Sequence, residues 1–287
     1  MQLGQSGKSA GEEQDFTDVR ARKPVWEYWN LIHAFGQRDL KTRFKGSALG
    51  WLWSLIVPLA TIAIYSLVFY FVLRIQPPDM GNGDKGIFAI WLFNGLIFWT
   101  FFTNTVNNGI REMISTGPIL QKVYFPAYAP VLGAGLAVGV QSLIELGILA
   151  VILLFLGNVS WTWLLVPFYL VFVVIFVGSI ATVVAIMNIY YRDLAHLVQV
   201  ALQLLFYATP IIYPASMITA TWQGISIRSI LELNPLWSFV DLFRSLMYGL
   251  TPGTWQQWTV MMVWTGIVYL WAARVVRKRG WDLGEHA

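Results

Sequence analysis

Residues 161–187 read WTWLLVPFYLVFVVIFVGSIATVVAIM, 27 positions without one charged side chain. About 20 predominantly apolar residues in a helix cross the hydrocarbon core of a bilayer. A surface helix of a soluble protein needs a polar stripe for water, and this run has none. It then stops abruptly at YYRDLAHLVQ (190–199), where an Arg-Asp pair and a histidine interrupt the apolar sequence. The reading is a membrane span followed by a short polar turn.

Composition extends that reading to the whole chain. Of 287 residues, 57% are hydrophobic and 12% charged, with a mean hydropathy of +0.59. Soluble chains carry about 25% charged residues. Six segments are long and apolar enough for spans: 49–73, 87–106, 131–156, 161–187, 197–212 (somewhat short) and 258–276. The sequence therefore predicts an all-α membrane protein with six transmembrane helices. Residues 1–23 are polar without an apolar stretch that would make a signal peptide, and are expected to form a disordered cytoplasmic tail. The membrane domain is expected over 24–276, with a second cytoplasmic tail over 277–287.

Basic residues orient the spans. With both termini inside, 15 of the 19 Lys and Arg fall in the cytoplasm, and only Arg74, Lys85, Arg228 and Arg244 outside. That is the positive-inside asymmetry. The net charge of +4 thus reports topology and anionic lipid, not a nucleic-acid partner. No cysteine is present, which removes disulfides, thiolate metal sites and thiol nucleophiles.

Two segments outside the spans are distinctive. In 24–45, Trp26, Trp29, Ile32, Phe35, Leu40 and Phe44 recur at helical spacing, interleaved with Arg38, Lys41, Arg43 and Lys45. This pattern predicts an amphipathic helix lying in the membrane interface; a plain basic flank is the simpler alternative. Between spans five and six, Pro214, Gly224, Pro235 and Pro252 break up short apolar pieces. These suit re-entrant helices, tolerated at membrane depth only under cover of protein or a water-filled cavity, or else a globular outer cap.

Catalytic patterns are lacking. The three histidines, His33, His196 and His286, are scattered, and no HExxH occurs. GQSGKSAG near the start contains GKS without the spacing of a phosphate loop. Glu145 lies within a span, where a carboxylate is costly and raises a functional hypothesis; a hydrogen-bonded structural glutamate near Gln141 and Ser142 is the alternative. Gly133, Gly135 and Gly139 beside it permit close helix packing. Trp51, Trp53, Tyr65, Phe69 and Tyr70 mark the first span, and Phe206, Tyr207 and Tyr213 the fifth. Such aromatics can present faces to the C–H side of a sugar ring, or simply anchor span ends at the interface.

The segment 107–126, NNGIREMISTGPILQKVYFP, has the parts of a short projecting helix. Asn108 can cap it, Glu112 falls in the first turns where the helix dipole favours an acid, and Gly117-Pro118 ends it. Ile119, Leu120, Val123, Tyr124 and Phe125 are too apolar for a free loop, while Lys122 stays wet.

Together RDLKTRFKGSALGWLWSLIVPL, ILQKVYFPAYAPVL, MNIYYRDLAHLVQVALQLLFYATPIIYP and NPLWSFVDLFRSLMYG resemble, in order, the type-2 ABC exporter permeases that move lipid-linked polysaccharides such as O-antigen and teichoic acid. The resemblance runs from about residue 24 to the C-terminus. It implies a bacterial cytoplasmic-membrane protein, two copies of which bind two copies of a separate ATPase that holds ATP and Mg. It implies that Arg111, Glu112, Ile119, Leu120, Lys122, Val123, Tyr124, Phe125, Arg192 and Asp193 couple to that ATPase. Trp26, Trp29, Phe35, Arg38, Lys41 and Arg43 would belong to a gate helix, with no cofactor on this chain. An ABC exporter of drugs or small lipids, a proton-driven flippase and a membrane-embedded glycan-processing enzyme are the rival readings.

Overall fold

A computed structural model describes residues 25–43, 45, 49–120, 125–219, 221–222, 225–226, 228, 231–232 and 234–280. Eight α-helices organise them: α1 (Trp29–Arg43), α2 (Trp53–Tyr65), α3 (Phe88–Leu120), α4 (Tyr128–Phe155), α5 (Val166–Tyr190), α6 (Leu194–Ala208), α7 (Pro235–Met247) and α8 (Trp255–Arg279). The fold is that of a helical membrane protein. Its one non-helical pairing among the described residues is a two-residue ribbon, Thr221–Trp222 against Ile225–Ser226.

Among the described residues five helical stretches are long and apolar enough to span: Leu55–Val72, Phe88–Ile119, Tyr128–Phe155, Trp161–Tyr190 and Trp255–Arg279. The expected fifth span is α6, whose 15 residues reach only about 22 Å, short of the roughly 30 Å core. Thr209, extended at φ −108 and ψ 133, ends it, because the residue before a proline avoids helical geometry. Helix α8 starts earlier than expected, fastened by a Thr254–Gln257 capping box, and keeps Arg277, Lys278 and Arg279 in its last turn, where the dipole favours cations.

At the centre stands α3. It packs on α4, α5 and α7, and Leu92 and Met113 along it are fully buried. By contrast only 6% of the 55–72 span is buried, against 72% of the α3 span. The first span thus stands at the edge of the bundle with its apolar surface uncovered. It is also irregular: Pro58 sits inside α2, and Ser66–Val72 continues as a π-helical turn.

The 107–126 segment departs from expectation. No new helix begins at Asn108; α3 runs unbroken from Phe88 to Leu120, with Pro118 inside its last turn. Asn108 is buried mid-helix and accepts a hydrogen bond from Arg111. The reason is packing: Val106, Ile110 and Met113 continue the buried stripe of the span, so the helix keeps its register past the polar residues. Similarly, Pro235 does not break a helix but opens α7 at its first turn.

Candidate coupling surface and aromatic path

Helix α1 and the end of α3 meet at the basic end of the bundle. Gly36 and Gly133 allow α1 onto α4, since a Cβ on Gly133 would lie 2.5 Å from the Cβ of Phe35. That approach places the Phe35 ring 5.5 Å from Phe125 and pairs Arg38 with Glu112. Tyr28 meets Tyr128 edge-on at 6.3 Å, and exposed Trp29 stacks on His33. The expected gate helix and coupling segment are therefore one contact surface. Of the remaining coupling residues, Arg111, Ile119, Arg192 and Asp193 are exposed and Phe125 is buried. Lys122, Val123 and Tyr124 lie outside the described residues, as do the side chains of Trp26, Arg43 and Leu120; Lys41 is exposed.

The aromatics of spans one and five also meet. Tyr65 stacks on Phe206 at 6.1 Å and meets Phe69 edge-on at 6.0 Å. Phe206 then contacts Trp99 and Tyr207, each at 5.4 Å. Tyr207 is exposed, and its carbonyl accepts from the Tyr213 hydroxyl at 2.6 Å. Tyr70 turns aside to stack on Phe88 at 6.3 Å. Trp53 is exposed at the start of α2, and the Trp51 side chain is outside the described residues. Of the expected aromatics the cluster thus holds Tyr65, Phe69, Phe206 and Tyr207, joined by Trp99 of α3.

Glu145 is 2% exposed and faces α2 and α3. It accepts from Gln141 Nε2 at 3.2 Å and Thr100 Oγ1 at 3.4 Å, beside a cavity of about 90 Å³ that Pro58, Thr61 and Asn104 also line. Ser142 instead lines an apolar groove of about 590 Å³ between α4 and α5, floored by Phe98 and Phe101 of α3.

The opposite end is knitted by α7. The Asn158 side chain donates to the Met247 and Tyr248 carbonyls and accepts from Asn82 N–H. Thr162 donates to Leu246 O and Tyr169 to Phe239 O. Burial pushes the Tyr248 hydroxyl up to about 12, so it remains a donor, to Pro78 O at 2.9 Å.

The family model for ABC-2 type transporters matches residues 30–248, from α1 through the end of α7. The chain belongs to the ABC-2 type transporter family. It is 29% identical over 243 residues to the O-antigen export system permease protein RfbA of Klebsiella pneumoniae, covering 84% of this chain and 88% of that protein. It is 31% identical to RfbA of Myxococcus xanthus over 80% and 85% of the two chains. A shorter match, 29% over 28% of each chain, links it to the polysialic acid transport protein KpsM of Escherichia coli.

In this ABC-2 transporter the sequence reading missed the residues that tie the opposite end together. Asn158 follows Gly157, whose φ of +68 and helix-closing bond from Asn158 N–H to Leu153 O mark a helix C-cap. That local signal was legible; the partner 90 positions away was not. The seven-residue π-helical stretch gave no signal either, although such stretches occur often at functional sites.

Proposed function

We propose that this chain is the permease subunit of an ABC exporter that carries a lipid-linked cell-envelope polysaccharide across the bacterial cytoplasmic membrane. The observation that carries this reading is its alignment, over about four-fifths of its length, with proteins named as O-antigen export permeases. ATP and Mg belong on a separate ATPase subunit, two copies of which serve two permeases. The uncovered apolar face of α2 is what a second copy would cover, and the Tyr65–Phe206 cluster is the wall along which a glycan would pass. Helix α6 completes a sixth span with the turn after it, α7 is re-entrant from the outer side, and both termini are cytoplasmic. Arg111, Ile119 and Lys122, with Arg192 and Asp193 at the neighbouring turn, engage the ATPase, and α1 gates beside them.

The test is genetic and chemical. Cells lacking this chain should lose surface glycan and accumulate the lipid-linked precursor on the cytoplasmic side, and the intact chain should restore both. Undiminished surface glycan with no precursor accumulation would sink the reading.

A further inference from the structure

Helix α6 is poorly fastened along its length. Of its 15 residues only Leu202 and Phe206 are buried, and its first turn is held by Ala195 N–H donating to Asn188 Oδ1 at 2.9 Å. The turn beyond its other end is the reverse: Thr209, Pro210, Ile211 and Ile212 are all buried. Helix α7 grips that turn from both of its own ends. Asn234, which caps α7 by accepting from Leu236 N–H, donates through Nδ2 to Thr209 Oγ1 at 3.0 Å. Arg244, one residue in the last turn of α7, donates Nη1 to Pro210 O and Nη2 to Ile211 O, the latter at 2.7 Å.

The seat of Arg244 is built for a guanidinium. Its side chain is buried and lies over the Trp91 ring with Cζ 3.7 Å from the centroid, a cation–π contact strengthened by exclusion of water. Gly95, one helical turn along the same face of α3, leaves the space: a Cβ there would come within 2.5 Å of Nη2. The planar fork matches two backbone carbonyls of the turn beyond α6, which must find partners when buried. An ammonium would keep the charge but could neither span both carbonyls nor stack flat on Trp91.

We infer that Arg244 is a positioning residue for transport. By holding the 209–211 turn, with Asn234, it pins the outer end of α6 and so sets Phe206 and Tyr207 against Tyr65. Without the pin, α6 keeps only two buried side chains, and a tilt of about 10° over its roughly 22 Å length displaces one end by about 4 Å. That is enough to part rings now stacked 6.1 Å apart. The role in transport rests on the reading of the chain as an exporter permease; the pin itself does not.

The absence of native cysteine allows a direct test in the full chain, expressed with its ATPase in cells. A Tyr65→Cys, Phe206→Cys pair reports the spacing by its crosslinking with a short bifunctional methanethiosulfonate. Arg244→Met is expected to cut that crosslinking at least threefold. In the chain with native Tyr65 and Phe206 it should cut surface glycan about tenfold, at normal membrane levels. Bridging Thr209→Cys to Asn234→Cys with the same reagent should leave surface glycan within twofold of the native chain and restore most of the loss in Arg244→Met. Gly95→Ala keeps the arginine but fills its seat, and should reproduce the crosslinking loss if Arg244→Met fails to accumulate. Unchanged 65–206 crosslinking in both variants overturns the pin, irrespective of transport. Loss of surface glycan on bridging 209 to 234 in the native chain would show that the clamp must open, and would equally overturn it. Native surface glycan that does not depend on this chain at all would instead count against the transport reading.

Discussion

At the scale of residues, three side chains carry testable weight. Asn158 is fully buried and satisfies three backbone groups from two other segments. Leaving such groups unpaired costs about 1–3 kcal/mol, so Asn158→Leu should lower the melting temperature in detergent by about 5 °C or more. An unchanged melting curve would mean that this end of the bundle is held elsewhere. Arg38 and Glu112 are a second case, with side chains 41% and 18% exposed. A pair this accessible contributes at most about 1 kcal/mol, too little to unfold the protein when lost, so its effect is expected on the angle of α1. Arg38→Glu should therefore reduce ATPase co-purification or export at normal membrane levels, and Arg38→Glu with Glu112→Arg should recover most of it. Failure of the double reversal to recover either would remove the ion pair from the account. Both residues were legible in the sequence as candidates, yet in separate groups. Charge and spacing place a residue on a helix, but a partner 74 positions away depends on how the helices pack.

At the scale of elements, the apolar runs were legible because a bilayer demands length and uniform hydrophobicity. Boundaries were less so. Asn108 looked like a cap, since asparagine is among the residues favoured there; the buried stripe through Ile110 and Met113 overrode that local preference. The pattern of 24–45 marked a helix, found as α1 over Trp29–Arg43, while its seat on α4 rests on two glycines, of which Gly133 was legible as a close-packing position and Gly36 was not. Gly133→Leu would drive a side chain into Phe35, at the 1–3 kcal/mol typical of overpacking. It should release α1 while α4 still inserts, seen as faster labelling of an Ile32→Cys variant; native labelling rates would show that the α1–α4 contact is not close in the membrane. The aromatic cluster is tested likewise. Tyr65→Ala with Phe69→Ala should lower surface glycan severalfold while the ATPase still co-purifies, whereas full export would make these rings interface anchors and nothing more.

At the scale of the molecule, one span stands apart. A first span only 6% buried beside a tightly packed α3 leaves an apolar face open to lipid or to another chain, and the exporter reading supplies a second copy for it. Leu67, 60% exposed on that face, should as Leu67→Cys crosslink between two copies in membranes, and absence of a dimer band with any residue of the face would place the second copy elsewhere. Movement of glycan across the membrane is the decisive property. The direct measurement uses proteoliposomes holding this permease with its ATPase and the lipid-linked glycan of the same cells. The glycan's exposure to an external glycosidase is followed over time. ATP with Mg, added on the ATPase side, should carry glycan from that side to the other, with no movement when the ATPase is omitted or ATP is replaced by a non-hydrolysable analogue. Glycan that stays where it began while ATP is hydrolysed, or that crosses at the same rate without ATP, would contradict the exporter reading.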